Sequence, residues 1–330
     1  MTPPTVGPHP LDRLRPVGWA GVAVAAALTA SLLTGALAGT TLPVLVGTSA
    51  TRSGMDLAGV GCVGLALLAL LLPAARHVPG SALRTLERVR ATADRALVAL
   101  AGGWLVVVLV GIMFRTADAF GRPIGQLAAG EIGSFVTELA GGRGLLLTAL
   151  CTAALLGCAV VRLRDRSLVQ ARVPLVAALL GLVTPAVTGH AGTHPDHQLA
   201  IMSIGVHVVG AALWVGGLAV TLVFVARHRA LLEPVLPRFS RLAGWCLAAV
   251  TLTGLLTAVI RLGTWDAVLT TRYGMLVLAK IACLVLLGLL GGIARRRLAA
   301  GQTPVLRWAG VEVAVMAATI GIAAALSQSA

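Results

Sequence analysis

Charge is scarce in this chain. Of 330 residues, 12% are Asp, Glu, Lys or Arg, about half the fraction that a water-soluble domain carries, which excludes an ordinary aqueous globule. Aromatic residues make up 4%, with a single tyrosine. Although the net charge is +14, nothing forms the aromatic-interleaved basic face that strand binding needs, and a nucleic-acid partner is excluded. Cysteine is sparse as well. Cys62, Cys151, Cys158, Cys246 and Cys283 form no C-x-x-C pair and all fall inside apolar runs, where a free thiol packs as a small hydrophobe. Neither GxxxxGKS nor GxxxxGKT occurs, so any transport draws on gradients or on exchange with carriers rather than on nucleotide hydrolysis. The zinc-hydrolase pattern H-E-x-x-H is missing too, because His190 and His194 enclose Ala-Gly-Thr and no glutamate; the chain is read as a non-enzyme.

What is present is apolar sequence, 58% of the residues, in runs long enough to cross a hydrocarbon core at about 20 residues each. They fall near 17–38, 56–73, 96–114, 144–161, 173–189, 199–226, 239–260, 273–294 and 306–327. Inside lipid each run must satisfy its own amides, so the expected fold is all-α, a polytopic transmembrane bundle of about nine helices. Residues 1–172 are expected to form an N-terminal four-helix membrane region and residues 173–330 a five-helix region. The first run has a basic lead and an Ala36-Leu37-Ala38 triplet, but it exceeds the usual length of a signal-peptide core, so it reads as a retained helix. The stretch from Arg115 to Gly144 mixes helix-like and Gly-rich pieces and reads as a short amphipathic lid on the membrane surface.

The basic charge is topological. Nineteen arginines lie in one set of alternate loops, among them Arg76, Arg90, Arg162, Arg166 and Arg238; six lie in the other set, and the remaining base, Lys280, is within a helix. The positive-inside bias then puts the N-terminus in the cytoplasm and the C-terminus outside.

Four of seven histidines, His190, His194, His197 and His207, gather between Thr184 and Leu218, where the fifth helix ends in an outer loop and the sixth begins. Imidazole accepts either copper oxidation state and thioether favours the cuprous ion. Met55, Met113, Met202 and Met275 all fall at the same edge. His190, at the end of an apolar helix, is positioned as a ligand. His194 and His197 are either ligands or part of a solvated loop. His207 lies about 12 Å below the outer surface by helical rise and shares a stripe with Ser203, Gly210, Trp214 and Gly217; it is either a ligand or a structural histidine facing the bundle. Lys280, on a face with Tyr273, and Glu312 are intramembrane ions that either pair with each other or serve function separately.

The run TGH…H…HVVGAALWVGGL from Thr188, RFSRLA from Arg238, the Thr253-Gly254 pair, YGMLVLAK from Tyr273 and Glu312 early in the last helix together resemble the CopD family of bacterial copper-resistance membrane proteins. The resemblance covers about Thr188 to Arg297, a third of the chain; the first five helices are similar in number and hydropathy only. It implies a multi-pass protein of the bacterial cytoplasmic membrane, set in lipid, that moves copper across or delivers it, in partnership with a small periplasmic carrier of the CopC type. His190 and His207 match the family's histidine positions, Trp214, Tyr273, Lys280 and Glu312 match its other motif positions, and His194 and His197 match less closely. No CopC-like domain is expected in the opening MTPPTVGPHPLDRLRP, so such a carrier would be a separate protein. Some relatives continue into a CtaG-type oxidase assembly domain, and the ending ALSQSA fits either a free-standing protein or the front of a longer one. The expectation is copper import, with His190 and His207 as inner ligands and His194, His197 and Met202 nearer the mouth. Its rivals are a b-type haem protein with His190 and His207 as axial ligands, and a factor delivering copper to a respiratory oxidase.

Overall fold

Long apolar runs that must bury their own amides predict helices, and helices are what forms. A computed structural model of the chain describes residues 42–188 and 197–262, together with five further helical positions, Leu278, Ile281, Ala282, Val285 and Leu289. The helices are α1 (Leu42–Leu71), α2 (Gly80–Phe120), α3 (Ala129–Glu138), α4 (Ala140–Arg164), α5 (Arg172–Val187), α6 (His197–Val220) and α7 (Arg229–Leu262), with short 3₁₀ turns at Ala75–His77 and Ile124–Gln126 and a π-turn at Thr221–Val225 closing α6. No strand occurs among the described residues. Five helical segments are long and apolar enough to cross a membrane: Val46–Leu71, Gly80–Phe120, Ala140–Arg164, Ile201–Val225 and Arg229–Leu256; α5 is apolar but shorter. All seven helices lie in one compact unit, Ala38–Met275, whereas the five isolated positions, all exposed, belong to a second, Met1–Leu37 with Leu276–Ala330. The expected first and ninth helices, and most of the eighth, lie outside the described residues.

α1, α2 and α7 start earlier than their hydropathy suggests, the first two for a visible reason. α2 begins at Gly80 rather than near 96 because Arg84, Glu87, Arg88 and Arg95 occupy one exposed face while Leu86, Val89, Ala93 and Leu97 recur at helical spacing on the other and are buried. α1 begins at Leu42 because the polar residues of its first turns are internal: Ser49, Thr51 and Ser53 are buried, and the Thr51 hydroxyl donates to Gly47 O at 2.7 Å. Within the expected lid, α3 forms as a ten-residue helix. Its Phe135 is buried, and Glu131 accepts from the Ala128 N–H at 2.9 Å and pairs with Arg122 at 3.1 Å.

Small residues let the helices meet. α1 packs against α2, α5 and α6, α4 against α2 and α5, and α6 against α7. Where α1 crosses α6 the backbones touch: a Cβ on Gly216 would stand 2.9 Å from Gly64 N and 3.1 Å from Gly64 Cα, so both glycines are needed for the approach. The buried Trp104 indole of α2 lies beside Gly59 of α1 and Gly181 of α5, with Leu182 next to the first glycine and Cys151 of α4 next to the second.

The arginine-rich loops come together at one end. Arg166 Nε bonds Asp94 Oδ2 at 2.6 Å and its Nη1 bonds Glu87 Oε2 at 2.8 Å, while Glu87 Oε1 accepts from Arg90 at 2.8 Å. Arg162 lies 3.9 Å from the same Asp94 and donates to Val169 O at 2.7 Å. The Ser167 N–H and hydroxyl both donate to Asp165, which holds that carboxyl below its usual range and turns the chain so that Arg166 reaches back to α2. Arg90 donates to Pro73 O at 2.9 Å and Arg238 to Leu71 O at 3.1 Å, so two guanidinium groups cover the carbonyl end of α1, where the helix dipole favours cations.

Two predictions follow from this packing. Gly64→Ala is expected to cost about 1 to 3 kcal/mol or more by forcing backbones apart, whereas Gly103→Ala, which meets nothing within 4 Å, raises stability by about 1 kcal/mol; thermal unfolding in detergent reads both. Asp94→Ala strands Arg162, whose side chain is 8% exposed, and is expected to cost about 3 to 5 kcal/mol. In the same assay Glu233→Gln, which breaks the exposed pair with Arg229, leaves the melting temperature where it was.

Candidate functional site

The segment 189–196 that leads into α6 lies outside the described residues, and with it His190 and His194. His197 is the first residue of α6, but its side chain is outside the description, as are Tyr273, Lys280 and Glu312. The geometry available is that around His207, Met202 and Trp214.

Ser203, His207, Gly210, Trp214 and Gly217 recur at intervals of four, three, four and three, which places them on one stripe of α6. That stripe looks onto α7. A Cβ on Gly210 would stand 3.1 Å from Val250 Cγ2 and 3.5 Å from Cys246 O, and one on Gly217 would stand 2.6 Å from the Phe239 ring. α7 answers with a matching stripe: Phe239, Cys246 and Val250 are 5%, 4% and 3% exposed, and Thr253 follows on the next turn. Trp214 is buried two turns beyond His207 on the same stripe.

His207 stands about 15 Å along the helix axis from His197 by helical rise, and it is half-buried. Its Nδ1 lies 3.0 Å from Thr253 Oγ1. The Thr253 hydroxyl is also 2.6 Å from Ala249 O, and Ser203 Oγ donates to Thr253 O at 3.2 Å. Gly254 lies beside the ring, where a Cβ would be 3.5 Å from Cε1 and 3.8 Å from Nδ1. The imidazole is therefore seated against a neutral hydroxyl and a residue without a side chain. A membrane helix that carries an imidazole inward must give it such a partner, since an unpaired polar group in hydrocarbon costs several kcal/mol.

Among the described residues, two of the other predicted donors, Met202 and Met55, stand elsewhere. Met202 is 67% exposed, on a different face of α6, and Met55 is 5% exposed in the α1–α2 interface against Gly111. Among the described residues no three His, Cys, Asp or Glu side chains cluster as a metal ligand set. Of the candidates, the structure brings His207, Ser203 and Trp214 onto one buried stripe.

Two features escape a reading of the sequence one helix at a time. Thr253 belongs to a recognisable Thr-Gly pair, but its partnership with His207 depends on the register of α7 against α6. The spacing of Phe239, Cys246, Val250 and Thr253 is the signal that reveals it. The ionic cluster around Asp94 joins residues 72 and 79 positions apart, and it is signalled only by two acids inside an arginine-rich segment.

Residues 233–326 match the family described as Copper resistance protein D, and residues 41–198 match the Copper resistance protein D-like, N-terminal domain. The copper transport protein CutJ of Bacillus subtilis is 27% identical over 157 residues, 44% of this chain and 29% of that protein. An uncharacterised protein of Mycobacterium bovis is 31% identical over 162 residues, 49% of this chain and 23% of that one, and an uncharacterised protein of Mycobacterium tuberculosis matches to the same extent. The chain thus spans less than a third of the length of the curated relatives it matches. No solved structure matches it.

Proposed function

The chain belongs to the copper resistance protein D family of membrane proteins, and from that premise we propose that it imports copper across the bacterial cytoplasmic membrane through imidazole and thioether ligands near the outer face. The observation that carries the proposal is His207: a half-buried imidazole inside a span, held by a hydroxyl on the neighbouring helix. With the arginine-rich end in the cytoplasm, as the positive-inside bias favours, His207 lies toward the opposite, outer side.

In this reading His194, His197 and Met202 receive the ion at the mouth, and His190 and His207 hold it one step deeper. The inner pair suits a cuprous ion, which accepts two nitrogen donors. Trp214, buried two turns along the same stripe, keeps its inner part dry, while Tyr273, Lys280 and Glu312, in the last two apolar runs, support the path inward. A separate CopC-like carrier supplies the ion from outside. Two of the five proposed ligands, His207 and Met202, are described with their side chains, and the ligand set is tested residue by residue.

Purified protein is expected to hold stoichiometric copper by metal analysis, and His190→Ala and His207→Ala each to lose most of it; unchanged copper in both variants removes the ligand assignment. Proteoliposomes loaded with a copper chelator are expected to accumulate Cu(I). Copper bound at the mouth without flux turns the reading toward delivery to an oxidase, and a Soret band in the reduced-minus-oxidised spectrum turns it toward haem.

A further inference from the structure

α7 has a second stripe, out of step with the buried one that meets α6. Arg238, Arg241, Trp245, Ala248, Leu252 and Leu255 recur at intervals of three, four, three, four and three, which is one face of a helix, and all six are exposed. Trp245 is 78% exposed and Leu252 68%, although both lie in a segment, Arg229–Leu256, that is long and apolar enough to cross a membrane. The chemistry changes in order along this face. Two guanidinium groups stand at the arginine-rich end, the indole follows, and aliphatic side chains complete it. By helical rise Trp245 is about 6 Å beyond Arg241 and Leu255 about 15 Å beyond Trp245, the second distance being half the thickness of a hydrocarbon core. Side chains on a helix lean toward its N-terminus, so the indole leans back toward the arginines, at the depth where tryptophan is favoured in a bilayer.

We propose that this stripe seats one anionic phospholipid from the leaflet at the arginine-rich end, with its phosphate at Arg238 and Arg241, its glycerol region against Trp245 and an acyl chain along Leu252 and Leu255. Charge decides for a lipid with a net negative headgroup. Among the described residues neither arginine stands in an ion pair, and the acid nearest to them in sequence, Glu233, is taken by Arg229. Arg238 is also held in place: its Nη1 donates to Leu71 O at 3.1 Å, which leaves four of its five N–H groups for another acceptor. A guanidinium fork matches the oxygens of a phosphate, and a fixed one loses less freedom on binding it. A zwitterionic lipid offers the same phosphate together with an ammonium group that these two cations repel.

The test uses the full chain in phosphatidylcholine nanodiscs that carry a minor share of lipid brominated on its acyl chains, either phosphatidylglycerol or phosphatidylcholine. Bromine quenches an indole that it touches, and the Trp245 signal is the difference between the wild type and Trp245→Phe. Brominated phosphatidylglycerol is expected to quench that signal with a preference of about 5- to 25-fold over the same share of brominated phosphatidylcholine, about fivefold for each guanidinium. Arg241→Gln is expected to reduce the preference about fivefold with the thermal midpoint unchanged, Arg241→Lys to retain most of it, and added salt to weaken it. Arg84→Gln, exposed on α2 and off the stripe, leaves it as it was. Equal quenching by the two lipids, or a preference undiminished in Arg241→Gln, overturns the proposal. Quenching by neither lipid overturns it by showing that protein covers the stripe, and a preference abolished by inorganic phosphate overturns it in favour of a free anion.

Discussion

The contact on which the described helices depend is a backbone meeting a backbone. In hydrocarbon there is little hydrophobic force to press helices together, so they associate where small residues allow close approach and dispersion contacts accumulate. Gly64 and Gly216 supply that approach between α1 and α6. α1 also touches α2 and α5, so the position of α6 is set by a helix that is itself fixed on two other sides. The stripe holding Ser203 and His207 then faces α7, and the partnership with Thr253 follows from that placement.

The two ends of the bundle are built by different chemistry. At the arginine-rich end a buried carboxylate, Asp94, sits between two guanidinium groups, Arg238 covers the last carbonyl of α1 and Arg90 that of Pro73 just beyond it. Charge there is concentrated, paired and long-range in sequence. Toward the other end ion pairs are short-range or exposed, Arg52 with Asp56 and Arg122 with Glu131, and several hydroxyls satisfy themselves on the preceding turn, as those of Thr51, Thr116, Thr148 and Thr188 do. The half-buried imidazole of His207 belongs to this second setting, seated against the hydroxyl of Thr253.

Much of the fold is legible from hydropathy, because a 20-residue apolar run has few alternatives in lipid. The run at 144–161 becomes α4 and that at 173–189 becomes α5, each within a few residues. The method falters where a helix leaves the bilayer. Residues 80–95 carry four arginines and look like a loop to a window average, yet Leu86, Val89, Ala93 and Leu97 keep the 3.6-residue beat of a helix. The site is legible in part. The stripe from Ser203 to Gly217 can be counted from the sequence, and the structure places it against α7. The hydroxyl that holds His207 cannot be counted in the same way: it lies 46 residues away, and pairing two helices needs their relative rotation, which periodicity within either one does not contain.

The length of α2 has a mechanical meaning. Forty-one helical residues extend about 60 Å at 1.5 Å each, twice the thickness of a hydrocarbon core. Its apolar half is gripped by neighbours in the bilayer, and its charged half is fastened to the α4–α5 connection by Arg166 and to the end of α1 by Arg90. A stiff rod fastened in that way has the geometry of a lever: a tilt of its apolar half would be carried by the clamps on its charged half to the α4–α5 connection and to the end of α1.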